Sequence, residues 1–121
     1  RFMIDHLIEK LFQDDDLETA FVAYSTHKKF WRKEGDSYQR LTGKIYEPRQ
    51  TSVNLLREDA GMACATRTAV IKQGYRIGDN VYILENHDEY SMIDIHDERS
   101  LFLAEKALER EKERENYEYF Y

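Results

Sequence analysis

Four histidines, one cysteine and 24 acidic residues are the side chains of this 121-residue chain best suited to metal or acid–base chemistry. Their spacing argues against it. The tripeptide His-Asp-Glu occurs twice, at residues 87–89 and 96–98. Imidazole and carboxylate are good metal ligands, but residues 90–95, which read as a strand, lie between the two groups. An extended run of that length holds its ends roughly 30 Å apart, so both tripeptides read as turns bounding a strand. Asp14, Asp15 and Asp16 are adjacent in sequence, and adjacent side chains do not all point at one ion. Aspartate competes for local backbone donors, so this triplet reads as a solvated cap. Cys64 lies between Ala63 and Ala65, with no neighbouring base to lower its pKa, and reads as a packing residue. A lone cysteine forms no intrachain disulfide and fits a reducing compartment. No Gly-rich phosphate loop, CxxC pair, nucleophile elbow or HExxH occurs. The chain is expected not to be an enzyme and to need no cofactor and no metal.

Binding chemistry is better represented. His27, Lys28, Lys29, Arg32 and Lys33 form one basic run around Phe30 and Trp31. Such a mixture either stacks on nucleic acid or makes a hairpin whose lysines guard an exposed edge. Residues 57–64, Arg-Glu-Asp-Ala-Gly-Met-Ala-Cys, form a loop of small residues, with Arg57 and Met62 as its candidate contact residues. It reads either as a flexible connection or as a segment that orders against a partner. The chain ends in Tyr117, Glu118, Tyr119, Phe120 and Tyr121. These aromatics either fold back on the domain or dock on another subunit, since Tyr and Phe are common interface anchors.

These segments must be carried by one domain, because 121 residues is one domain's length, enough to bury about two-thirds of the unfolded surface. Fifteen residues are Tyr or Phe, which excludes simple disorder. No apolar run approaches the ~20 residues of a membrane span, and the opening residues carry acids where a signal peptide has an apolar stretch. The net charge of −6 argues against a duplex-DNA reader with a bulk basic footprint.

Residues 2–12 place Phe2, Met3, Ile4, Leu7, Ile8, Leu11 and Phe12 on one wide helical face. From residue 19 to the nineties, β-branched and aromatic runs alternate with Gly- and Asp-containing turns. Strands are expected at 19–24, 28–32, 38–46, 51–56, 65–72, 81–84 and 90–95. Gly78 and Asp79 make the turn that enters a strand, and Val81, Ile83, Tyr90 and Met92 serve the core. Residues 101–103 read as a short strand or the entry to a helix. At 109–115 acids and bases alternate strictly, which puts opposite charges at i,i+3 and like charges at i,i+4, so a helix there is expected to fray or to depend on a partner. The expected fold is mainly β: a small antiparallel β-barrel or sandwich with an N-terminal helix and a short C-terminal helical tail. The barrel domain would span 1–103 and the tail 104–121.

Residues 67–103 carry a resemblance. The runs Arg-Thr-Ala-Val-Ile-Lys at 67–72, Tyr-Arg-Ile-Gly-Asp-Asn-Val-Tyr-Ile at 75–83, Glu-Tyr-Ser-Met-Ile-Asp-Ile at 89–95 and Leu-Phe-Leu at 101–103 resemble the closing half of the small β-barrel in tailed-phage head–tail joining proteins. The likeness is to the lambda-type head-completion, or stopper, group. Upstream, the opening helix, the first strand, the hairpin, Pro48 and the loop at 57–64 have counterparts in that group. The resemblance covers about 100 residues as architecture, and the charged, aromatic-ended C-terminus departs from it.

The resemblance implies a virion structural protein of the head–tail neck, made in the host cytoplasm. It would form a ring of identical subunits, with a portal or adaptor protein above and a tail protein below. Packaged DNA would pass through the lumen without sequence-specific binding, and an acidic lumen would let it slide. The alternative reading is a small acidic inhibitor or adaptor, of immunity or anti-defence type, that binds a basic host protein through Asp14–Asp16 and the acids of 85–98.

Overall fold

The computed structural model describes residues 2–42 and 55–118, the last four of these by backbone alone. The chain divides into two compact units, Arg1–His87 and Asp88–Tyr121.

In the first unit, helix α1 (Met3–Gln13) precedes strand β1 (Thr19–Thr26). A separate hairpin of β2 (Trp31–Glu34) and β3 (Ser37–Arg40) follows. Then come β4 (Leu55–Glu58), β5 (Cys64–Thr66), the short helix α2 (Thr68–Lys72) and β6 (Val81–Asn86). β1 is the middle of the main sheet. β4 and β5 pair antiparallel with its two halves, and β6 pairs parallel with it. The fold is β-rich, with six strands, an N-terminal helix and a C-terminal helix. Among the described residues the sheet stays open and does not close into a barrel.

β1 is apolar on both faces because both faces are covered. Ala20 and Val22 face α1, packing with Leu7, Leu11 and Ala63. Phe21 and Ala23 face the other way, with Ala60, Ile77, Val81 and Ile83. The alternation continues in β6, whose Tyr82 and Leu84 join the α1 side. Leu7, with no exposed surface, contributes about 1.5–3 kcal/mol by its burial.

Several expected strands are shorter or absent, each for a local reason. Residues 65–72 do not continue as one strand: Arg67 is the extended residue before α2, and the Val70 amide donates to the Arg67 carbonyl. Residues 90–95 form no strand. A single 3-10 turn occupies Tyr90–Met92, because the Asp88 carboxylate accepts from the Tyr90 amide and the Ser91 hydroxyl donates to the Asp88 carbonyl. Such local side-chain bonds compete with a sheet ladder. Tyr90 is exposed and Met92 half-buried, so neither is a core residue of the sheet as expected. The expected strand segments at 43–46 and 51–54, with Pro48, lie outside the described residues.

In the second unit, helix α3 (Glu98–Glu118) runs 21 residues, longer than the short tail expected. It takes in residues 101–103 and the alternating charges. Leu, Ala, Glu, Lys and Arg are strong helix formers, and the N-terminus is well capped. The Asp97 carboxylate accepts from the Ser100 amide at 2.7 Å, and the Ser100 hydroxyl serves the amides of His96 and Asp97. This is a capping box with Ser in the place of Glu.

Candidate functional site

The turn at 76–80 enters β6 as expected, and a carboxylate that sequence reading missed locks it in place. Glu18 Oε2 accepts from the Asp79 amide at 2.8 Å and the Asn80 amide at 2.9 Å. The Glu18 amide donates to the Asn80 carbonyl, and the Asn80 side chain donates to Asp16 O at 2.7 Å. Buried Thr19 accepts from the Gly78 amide at 2.9 Å and shares a hydrogen bond with Thr66 at 2.8 Å. A Cβ at position 78 would lie 2.7 Å from both Glu18 Cβ and Oε2. Gly78 is thus required by close approach to Glu18.

Arg67 is a second residue whose role was not legible. Its Nε donates to Leu17 O at 2.6 Å, and Nη2 donates to Leu11 O and to Asp14 O at 3.0 Å. It satisfies carbonyls at the C-terminal end of α1, where a cation also opposes the helix dipole. The aspartate triplet behaves as a turn: Asp14 Oδ1 accepts from the Asp16 amide at 2.9 Å.

The candidate metal ligands do not converge. His87 pairs with Glu85 at 3.7 Å and His96 with Asp94 at 2.9 Å, all four well exposed. Among the described residues no group of three potential ligands could hold a metal ion. Cys64 is half-buried and packs beside Phe21 and Ala60.

The loop after β4 is a tight insertion. The β1 register shifts by four residues between its β4 and β5 halves. The Asp59 amide donates to Val22 O, and the Val22 amide donates to Ala63 O. Met62, expected at the surface, is half-buried against the α1 core, and its sulfur accepts from Asn86 Nδ2 at 3.6 Å. Arg57 is exposed on β4.

Among the described residues, three surfaces carry clustered exposed apolar side chains. The first is the unburied half of α1. Met3, Leu7 and Leu11 face the core, while Ile4, Ile8 and Phe12, also spaced four apart, stay exposed. With residues Cys64 to Thr68 they line a groove of about 490 Å³. The second is the hairpin. Trp31 pairs with Arg40 and Lys33 with Tyr38, so these four share one face, with the Arg40 guanidinium 4.2 Å from the Trp31 ring centroid. Gly35, at φ +59, supplies the left-handed residue of its two-residue turn. The third is α3, where Leu101, Phe102, Leu103 and Leu108 are exposed. Tyr117 continues this helix, and its side chain, with Tyr119, Phe120 and Tyr121, lies outside the described residues. No helix among the described residues is long and apolar enough to cross a membrane.

A scan of the sequence against protein-family models finds no match, and a search of curated proteins finds none.

Proposed function

We propose that this chain is a structural subunit of a homo-oligomeric assembly, specifically a head–tail connector subunit of a tailed phage that closes the DNA-filled head and joins the tail. The observation that supports assembly most directly is the state of the second unit. None of its side chains from Asp88 to Arg114 is buried, and Tyr90, Ile95, Leu101, Phe102, Leu103 and Leu108 are all exposed. Ordering each residue costs about 1–2 kcal/mol of backbone entropy, and a unit with no buried side chain among its described residues has little to offset it. Exposed apolar surface of this kind marks an interaction site. The unpartnered stripe of α1 is a second such surface.

Two different surfaces on one chain suit a heterologous contact, in which one patch of each copy meets another patch of the next. Repetition of such a contact closes into a ring when the rotation allows it. The choice of a connector ring rather than another assembly rests on the sequence resemblance of residues 67–103 alone; of its quoted runs only the one entering Val81–Asn86 is a strand here. In this reading the C-terminal aromatics dock on a neighbouring copy, the portal or adaptor and the tail protein bind opposite faces of the ring, and no catalysis takes part.

Electron microscopy of the native particle tests it, together with sedimentation of the purified chain. A closed ring about one axis at a neck is expected. A stable one-to-one complex with a basic protein, with strongly salt-dependent association, would refute the connector and favour the acidic inhibitor.

A further inference from the structure

We infer that the exposed face of the β2–β3 hairpin is a binding site for single-stranded nucleic acid, read without sequence preference. The observation is a two-by-two arrangement that neither strand shows alone. The register sets Trp31 opposite Arg40 and Lys33 opposite Tyr38, so the aromatics occupy one diagonal of the face and the cations the other. Directly opposed side chains in a ribbon lie about 5 Å apart and diagonal ones about 7–8 Å. Each ring therefore has a cation beside it.

The opposite face is arranged differently. There Arg32 donates to Gln39 at 2.6 Å and pairs with Glu34, so its charge is met within the hairpin. Lys33 and Arg40 make no ion pair with any described carboxylate. Trp31 and Tyr38 are 53% and 67% exposed, and the ribbon pairs with no other described strand, so Tyr38 and the part of the Trp31 ring that the Arg40 guanidinium does not cover stand open. Between Lys28 and Arg40 there are five cations against two carboxylates, in a chain of net charge −6. This is local positive charge kept against the overall balance.

Charge complementarity selects a polyanion, and the exposed rings select one with unstacked bases. Bases stack on aromatic side chains while a cationic groove tracks the phosphates, and this pairing is tolerant of sequence. Duplex DNA offers phosphates but keeps its bases stacked, so it engages only the cations. The site belongs to the single chain and is independent of the ring proposed above.

The test uses the full-length chain and a fluorescein-labelled oligothymidylate of about 15 nucleotides, a length near the upper site size of such modules. Trp31 is the one tryptophan, so its fluorescence reports stacking directly. Quenching is expected, with a matching rise in oligonucleotide anisotropy. Two phosphate contacts give a salt slope of about −1.4 for a single strand, so a fourfold rise in salt should weaken binding about sevenfold. Tyr38→Ala and Trp31→Leu should each weaken binding about tenfold by anisotropy, with unchanged far-UV circular dichroism. Lys33→Ser with Arg40→Ser should weaken it further and flatten the salt dependence. Lys106→Ser with Lys112→Ser, on α3, is the charge-matched control and should have no effect.

Absence of both quenching and an anisotropy change at low salt overturns the proposal. So does binding that Trp31→Leu leaves unchanged, or binding that the α3 control weakens equally. Competition by duplex DNA as effective as by single strands removes the stacking component and overturns the single-strand assignment. Quenching by an acidic peptide as strong as by the oligonucleotide assigns the face to a protein partner and also overturns it. None of these results bears on ring assembly, which sedimentation of the same samples reads separately.

Discussion

Replacing Gly78 with alanine tests the clamp between the start of β1 and the turn into β6. The added Cβ would sit 2.7 Å from Glu18 Cβ and Oε2 and 3.0 Å from Cδ. The backbone of Glu18 is held on both sides, its amide donating to Asn80 O and its carbonyl accepting from the Arg67 amide, so its Cβ cannot move away and the carboxylate cannot swing aside and keep its partners. Displacing it forfeits two hydrogen bonds from the Asp79 and Asn80 amides. Bonds to a charged acceptor contribute about 1.5–3 kcal/mol each, and partial exposure of Glu18 puts these at the low end, about 3 kcal/mol together. Gly→Ala also restricts the unfolded chain, which returns about 0.4–1 kcal/mol. The net cost is about 2 kcal/mol, a fall of about 8–12 °C in Tm for a domain of this size. Thermal and urea unfolding followed by circular dichroism would measure it. Gly61→Ala is the control, since a Cβ there meets nothing within 4 Å, and it should be neutral or slightly stabilising. In a Glu18→Gly background the cost of Gly78→Ala should fall to near zero, a coupling of about 2 kcal/mol. Equal stability of the Gly78 and Gly61 variants refutes the clamp, and so does a cost that persists without the Glu18 side chain.

Arg67→Met should destabilise the first unit by about 1.5–3 kcal/mol, since it strips a charged donor from three carbonyls, and Arg67→Lys should recover little because an ammonium lacks the planar fork; urea denaturation compares the three. Asp97 is held below its usual carboxylate pKa by the Ser100 amide first and the Ser100 hydroxyl second. A depressed folded pKa means that its stabilisation of α3 is present above the ordinary value of 3.8 and is lost as pH falls through the lowered one. A carbon-detected NMR titration of the Asp97 carboxyl should show this, and Ser100→Ala should return the pKa toward normal. Phe12→Ser, at a position 81% exposed, should change unfolding free energy by less than about 0.5 kcal/mol yet weaken self-association about 30-fold by sedimentation if the α1 stripe is an assembly surface.

The helix at the N-terminus, the strand expected at 19–24 and the Gly78-Asp79 turn were legible in the sequence because each is set by local spacing. Seven apolar residues in the first twelve describe α1 without any partner, and the β-branched and aromatic run that opens β1 marks a strand. The hairpin was legible in part, since Gly35 marks the turn, but the face shared by Trp31, Lys33, Tyr38 and Arg40 needs the register of two strands. Residues 90–95 misled because their alternation is strand-like while Asp88 and Ser91 bond locally to the backbone.

What tertiary structure alone decided is contact between residues distant in the chain. Glu18 meets the turn at 78–80, and Arg67 reaches the end of α1 more than fifty positions earlier. Neither residue type announces its partner, because a carboxylate or guanidinium suits any backbone donor or acceptor that folding brings near. The width of α1's apolar face was written in its sequence, whereas which half is buried was settled by where the sheet lies. Met3, Leu7 and Leu11 meet it, and Ile4, Ile8 and Phe12 stay exposed.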